Sequence, residues 1–160
     1  MFQKMFHRLI QRSPKFVVRW LFNIYPPYLG AGVEVTKISK EFDFLEVALR
    51  LRFYNRNYVG TQFGGSIYSM TDPHFMFLLM NRLGPEYVVW DYGAQIRFLR
   101  PGKTDLHARF ELTNEQLGVI QASTKDGEKY VFDLPVQIKD VHGQVVAELK
   151  KTLYVRKKAK

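Results

Sequence analysis

The chain has 160 residues, 46% of them hydrophobic and 15% aromatic; this is the size of one domain with enough apolar material for a packed core, and it excludes a disordered chain. There is no cysteine, which excludes disulfide frameworks, thiolate nucleophiles and cysteine-ligated metals. The net charge of +9 is concentrated at the ends, where residues 1–25 and 150–160 hold 11 of the 24 basic groups and no acid; 13 basic residues face 15 acidic ones in between. The body is therefore near neutral, and no nucleic-acid partner is expected. The basic ends read as solvated termini, with contact to an anionic surface as the alternative. No apolar run approaches the roughly 18–20 residues of a membrane span, and Arg8, Arg12, Lys15 and Arg19 interrupt every candidate signal stretch, so a cytoplasmic protein is expected.

Phe2, Met5, Phe6, Leu9 and Ile10 recur at helical spacing, as do Phe16, Val17, Trp20, Leu21 and Ile24. Ser13-Pro14 between them reads as a cap and a first-turn proline. The apolar stripe is expected to pack on the domain or on a partner subunit, with membrane-surface attachment as the functional alternative. Pro26-Pro27 closes this prefix. Val33 and Val35 then alternate with Glu34 and Thr36, and Leu45, Val47, Leu49, Leu51 and Phe53 form one face of a longer strand.

Residues 54–65 are rich in Asn and Gly and cannot extend that strand. From Ser66 to Leu83 the pattern is helical and almost wholly apolar, as for a buried helix, and Gly84-Pro85 ends it. Val88, Trp90, Tyr92, Ala94, Ile96 and Phe98 predict one face of the next strand. Leu106, Ala108, Phe110 and Leu112 predict another. Residues 114–124 read as a helix capped by Thr113 or Asn114. Two more strands carry Tyr130 to Ile138, with Pro135 demanding an edge or a bulge, and Val145, Ala147, Leu149, Leu153 and Val155. One apolar helix beside six amphipathic strands is buried only if the sheet curls around it. The expectation is an α+β domain over 29–160, a curved antiparallel sheet wrapped around one central helix, behind an N-terminal helical extension over 1–28.

The segment Asn57-Tyr58-Val59-Gly60-Thr61-Gln62-Phe63-Gly64-Gly65 runs straight into the apolar helix. Its glycines permit positive φ and close backbone approach, and the first helical amides lack internal partners. Asp72 is the only acid between Glu46 and Glu86. A carboxylate among Ile, Met, Phe and Leu needs a partner, an opening to water or a task; Asp72-Pro73 also reads as a kink or a second cap. His7, His74, His107 and His142 show no metal-ligand spacing, and no metal is expected.

These residues resemble the active-site region of hot-dog thioesterases of the phenylacetate-pathway type, in which an Asn precedes a His-Gly-Gly triplet by six residues and an Asp follows the His by nine. Asn57, Gly64, Gly65 and Asp72 match, Thr61 falls where many members have Thr, and Phe63 stands at the histidine position. Over most of its length, from Asn23-Ile24-Tyr25-Pro26-Pro27-Tyr28-Leu29-Gly30 to Val89-Trp90-Asp91, the chain resembles a bacterial hot-dog subgroup labelled a domain of unknown function.

The resemblance implies hydrolysis of an acyl-CoA or acyl-carrier thioester, with CoA as part of the substrate and no cofactor. It implies an oxyanion site at the Gly64 or Gly65 amide, Asp72 of a facing subunit as base or nucleophile, and Asn57 holding the water or carboxylate. A homodimer or homotetramer follows. Arg56, Arg97, Arg100 and Lys103 are candidates for CoA phosphate contacts, and Phe63, Phe75, Tyr92 and Phe98 for an acyl tunnel. Phe63 in place of His points to the alternative, a non-catalytic acyl-binding protein.

Overall fold

The computed structural model of the chain describes residues 10–159; the helical expectation for Phe2, Met5, Phe6 and Leu9, and His7, lie outside the described residues. Among the described residues, helices α1 (Lys15–Asn23) and α2 (Pro26–Ala31) precede strands β1 (Val33–Ile38) and β2 (Phe44–Leu49). Two helices, α3 (Gly64–Ser69) and α4 (His74–Leu83), follow. The chain closes with β3 (Tyr87–Phe98), β4 (Leu106–Glu111), helix α5 (Asn114–Ser123), β5 (Lys129–Asp140) and β6 (Val145–Lys157). The strands form one antiparallel sheet in the order β1-β2-β4-β5-β6-β3.

Inward residues from all six strands join α3 and α4 in one core, with Leu78 and Leu79 fully enclosed and Phe75 set edge-on against Phe110 at 5.1 Å. This is the sheet wrapped on a helix that the apolar pattern required. The helical stretch is interrupted, however. Residues 70–73 form a turn held by Thr71 N–H to Tyr68 O (2.9 Å) and Asp72 N–H to Ser69 O (3.3 Å). Pro73 is the N-cap residue of α4. Asp72 therefore sits in a break, and its amide is not part of either helix.

Two strand expectations are revised. β2 ends at Leu49: the Arg50 amide still reaches Gly32 O (2.8 Å), but Asn55 Nδ2 donates to Arg50 O (2.7 Å) and the Leu51 amide donates to Asp105 Oδ1 (2.8 Å), so Leu51 and Phe53 leave the strand, and Phe53 is 89% exposed. In β3, Asp91 pairs with Leu153 but Gly93 pairs with Thr152, so Tyr92 is an extra residue. Partners across an antiparallel ladder share a face. Val89 and Asp91 consequently point inward with Val155 and Leu153, and the even-numbered residues take over the inner face only after the bulge. Trp90 instead stacks on Tyr154 outside, ring centroids 5.0 Å apart.

Pro135 lies in a central strand, yet β4 pairs with β5 only from Ile138 onward. Pro135 meets β6 at Lys150, while the β4 ladder has already ended, so its missing N–H removes no bond from that ladder.

The apolar stripe of the prefix packs on the domain in part: Val18 of α1 is buried and Phe22 half-buried, while Phe16, Trp20 and Ile24 are exposed on this chain. Thr113, and not Asn114, caps α5, through a capping box with Gln116.

Candidate active site

The loop before α3 is tied down from inside. Asn57 accepts from the amides of Val59 (3.1 Å) and Thr61 (3.0 Å) and donates to Thr61 Oγ1 (2.9 Å) and Gln62 O (3.3 Å). Gln62, nearly fully buried, donates to Leu49 O (3.0 Å) and Thr104 O (3.1 Å), fastening the loop to the ends of β2 and the β3–β4 connection. Gln62 was not singled out from the sequence; its position between two glycine-containing turns gave no periodic signal. Gly60 uses the expected positive φ, at 80°, but Gly64 and Gly65 do not. Of the two, close approach is tight at Gly65 alone, against the exposed ring of Phe63. A Cβ on Gly65 would lie 2.4 Å from the ring of Phe63, and one on Gly64 would lie 3.4 Å from Phe98.

The first intrahelical bond of α3 runs from Ile67 N–H to Phe63 O (3.0 Å). The amides of Gly64, Gly65 and Ser66 precede it and have no helical acceptor. Of these, Gly64 borders a cleft of about 650 Å³ whose lining also includes Asn57, Thr61, Phe98, Arg100 and Lys103. Five sequence-predicted groups thus converge with one expected aromatic wall. Arg56, Arg97, Phe63, Gly65 and Asp72 do not line this cleft.

Asp72 lies at the other end of α3, on the order of 10 Å along the chain axis at 1.5 Å per residue. Its backbone O accepts from Tyr28 Oη (2.5 Å), which ties α2 to the break. Its side chain is 49% exposed, and Oδ1 is 3.6 Å from Lys151 Nζ. Lys151 is 2% exposed. It had been counted with the solvated basic C-terminus, and that reading is corrected: Lys151 is in phase with Leu149 and Leu153 on the inner face of β6, where its ammonium meets Asp91 Oδ2 at 2.9 Å. Asp91, 18% exposed, faces the same point because of the Tyr92 bulge.

Two carboxylates and one lysine thus meet at the break between the helices. Neither Asp91 oxygen makes a hydrogen bond of good geometry, despite the close ion pair. Burial raises the Asp91 carboxyl to about 6, the neighbouring Asp72 carboxyl adds to the rise, and Lys151 opposes it. Sequence alternation hid Asp91 because the bulge changed its parity. Lys151 did leave a signal, a cation in phase between core leucines.

Behind the break, His74 is completely buried, with Nε2 3.3 Å from Tyr28 Oη and its ring 4.8 Å from that of Phe110. Burial pushes its imidazole down to about 3, Lys151 in the same direction, while Asp72 opposes. The unfolded chain binds this proton first, so the stability contributed by neutral His74 is complete above about pH 6.5 and is lost as pH falls toward 3. The urea midpoint of the wild type is expected to fall more steeply between pH 7 and pH 4 than that of His74→Phe.

A family model described as Domain of unknown function (DUF4442) matches residues 14–155. No curated protein matches the chain by sequence. Among solved structures, a Pseudomonas aeruginosa protein of unknown function, called a probable thioesterase, superposes with a TM-score of 0.81 at 19% identity, over 91% of this chain and 97% of that one. The Haemophilus influenzae thioesterase HI1161 gives 0.64 at 14% identity, over 91% and 92%. The E. coli PaaI protein from the phenylacetic acid degradation operon gives 0.59 at 15% identity, over 89% and 91%. With the sheet order and the enclosed helix, these likenesses establish the hot-dog fold.

Proposed function

The chain belongs to the family described as Domain of unknown function (DUF4442), and from that premise we propose that it hydrolyses acyl thioesters of CoA or an acyl carrier. The observation that carries this reading is the half-exposed Asp72 carboxylate, held from beneath by a lysine with 2% exposure. The buried ammonium places a cationic partner 3.6 Å behind a carboxylate that opens to solvent at the surface of an otherwise apolar helix pair. Structural neighbours called thioesterases support the same chemistry.

A thioester carbonyl lies against the Gly64 or Gly65 amide, whose N–H stabilises the developing oxyanion; one such donor is worth about 3–4 kcal/mol. Asp72 acts as general base on water or attacks directly. Asn57 and Thr61, bonded to one another, keep the donor turn in shape, and the four loop bonds of the Asn57 amide make it a positioning residue for that turn. Arg100 and Lys103 in the cleft take CoA phosphates. Phe63 supplies no polar help, so the oxyanion rests on backbone donors alone.

Asp72 and the glycine amides are at opposite ends of α3, too far apart in one chain to flank one carbonyl. The working unit is therefore a homo-oligomer, dimer or tetramer, in which Asp72 of one copy faces the glycine turn of another, in a cytoplasmic setting. The second reading, acyl binding without turnover, is favoured by the Phe63 ring packed over Gly65. Assay of the wild type against acyl-CoAs of graded chain length separates them. Thiol release supports hydrolysis, and a retained acyl ligand with no release at any length rejects it.

A further inference from the structure

We propose that Asp72 and Asp91 work as one carboxyl pair seated on Lys151, which stores the proton taken from the attacking water and returns it to the departing thiolate. This rests on the hydrolytic reading of Asp72.

The geometry separates the roles. Asp72 is the outer member, 49% exposed and open to substrate; Asp91 is the inner member, 18% exposed, and its oxygens lack well-aligned hydrogen-bond donors. Lys151 Nζ lies 2.9 Å from Asp91 Oδ2 and 3.6 Å from Asp72 Oδ1. Two carboxylates on one ammonium leave a single negative charge, which one proton neutralises. The elevated Asp91 titration, near pH 6, is consistent with a pair that takes up one proton.

Other groups face the cluster: Tyr28 from α2, Tyr68 from α3, whose ring is 5.8 Å from Lys151 Nζ, and His74 from α4. Tyr28 is pushed further up and His74 down to about 3, so neither changes charge around pH 6.

In the step, a water O–H proton passes to Asp72 as the water oxygen bonds to the thioester carbon and the carbonyl electrons become the oxyanion. The proton is shared with Asp91. When the oxyanion collapses, the C–S bond breaks and the pair's proton goes to sulfur. Water and thioester become carboxylic acid and thiol, and the pair returns to its starting charge. Asp91 never touches substrate; it acts through Asp72.

The test combines carboxyl-carbon NMR titration of the full chain with the pH profile of kcat/KM on an acyl-CoA, for wild type, Asp72→Asn, Lys151→Met and Lys151→Arg. Wild-type Asp91 is expected to step near pH 6, the acid limb of kcat/KM falling with it. Asp72→Asn moves that step down by about one pH unit or more, because a like charge is gone, and Lys151→Met moves step and limb upward together. Lys151→Arg keeps both close to wild type. An Asp91 step that ignores Asp72→Asn overturns the pair, and that arm decides even if Lys151→Met does not fold. A step that moves while the acid limb stays fixed overturns proton storage. Folded wild type that hydrolyses no thioester, with the Asp91 response intact, removes the hydrolytic reading and the proton role with it, and leaves the coupling of the two carboxyls standing.

Discussion

Asp72→Asn is expected to lower kcat for acyl-CoA hydrolysis by about 10²–10⁴-fold, the range for loss of a positioned general base. The substitution keeps the shape of the side chain and removes only its charge and basicity. It also spares the fold, because Tyr28 Oη bonds to the Asp72 backbone oxygen and the turn is built from backbone bonds to Tyr68 and Ser69. The glycine amides remain, so residual turnover above the uncatalysed rate is expected, with KM little changed. Steady-state kinetics beside a thermal melt check this. Unchanged kcat, or loss of activity only in step with unfolding, would count against Asp72 as the base.

Lys151→Met is expected to destabilise the chain by about 3–5 kcal/mol near pH 8, the cost of removing one partner from a buried ion pair. Methionine fills the apolar stem's space between Leu149 and Leu153, so packing is largely kept. The loss is chiefly electrostatic, since Asp91 and Asp72 then face each other without a cation. The sign of the pH dependence follows from Asp91. Its folded-state titration is already raised to about 6 and rises further without Lys151, so the folded variant holds a proton that the unfolded chain releases. The variant therefore regains stability as pH falls from 8 through 6 toward the ordinary carboxylate range. Urea denaturation at pH 8 and pH 5 measures it. A deficit independent of pH would mean that the lysine contributes packing alone.

Much of the architecture was legible before any coordinates. The run from Ile67 to Leu83 was too apolar to be anything but enclosed, and the strands from Leu106 to Val155 announced themselves by period two. The order of elements then left a wrapped helix as the one way to bury it. What failed was parity and continuity. A single extra residue at Tyr92 turned Asp91 inward, which no alternation count can reveal. β2 ended where Asn55 and Asp105 took the next backbone groups, Arg50 O and the Leu51 amide, although Leu51 and Phe53 continued the pattern.

The candidate site was half legible. Asn57, Thr61 and Gly64 were marked by the family resemblance and do line one cleft. Lys151 was visible as a charge but was assigned to its neighbours Arg156 to Lys160, when its phase with Leu149 and Leu153 was the better guide. Net charge describes a segment. Burial is decided residue by residue.

Subunit complementation tests the shared site most directly. Asp72→Asn and Gly65→Val, the latter with its Cβ forced against the Phe63 ring, are each expected to be nearly inactive alone. If a carbonyl is held by the glycine turn of one copy and worked on by Asp72 of another, co-assembled dimers of the two variants contain one intact site per hybrid, and the mixture should recover roughly a quarter of wild-type turnover. Verified hybrids that remain as inactive as their parents would contradict a site built across two copies.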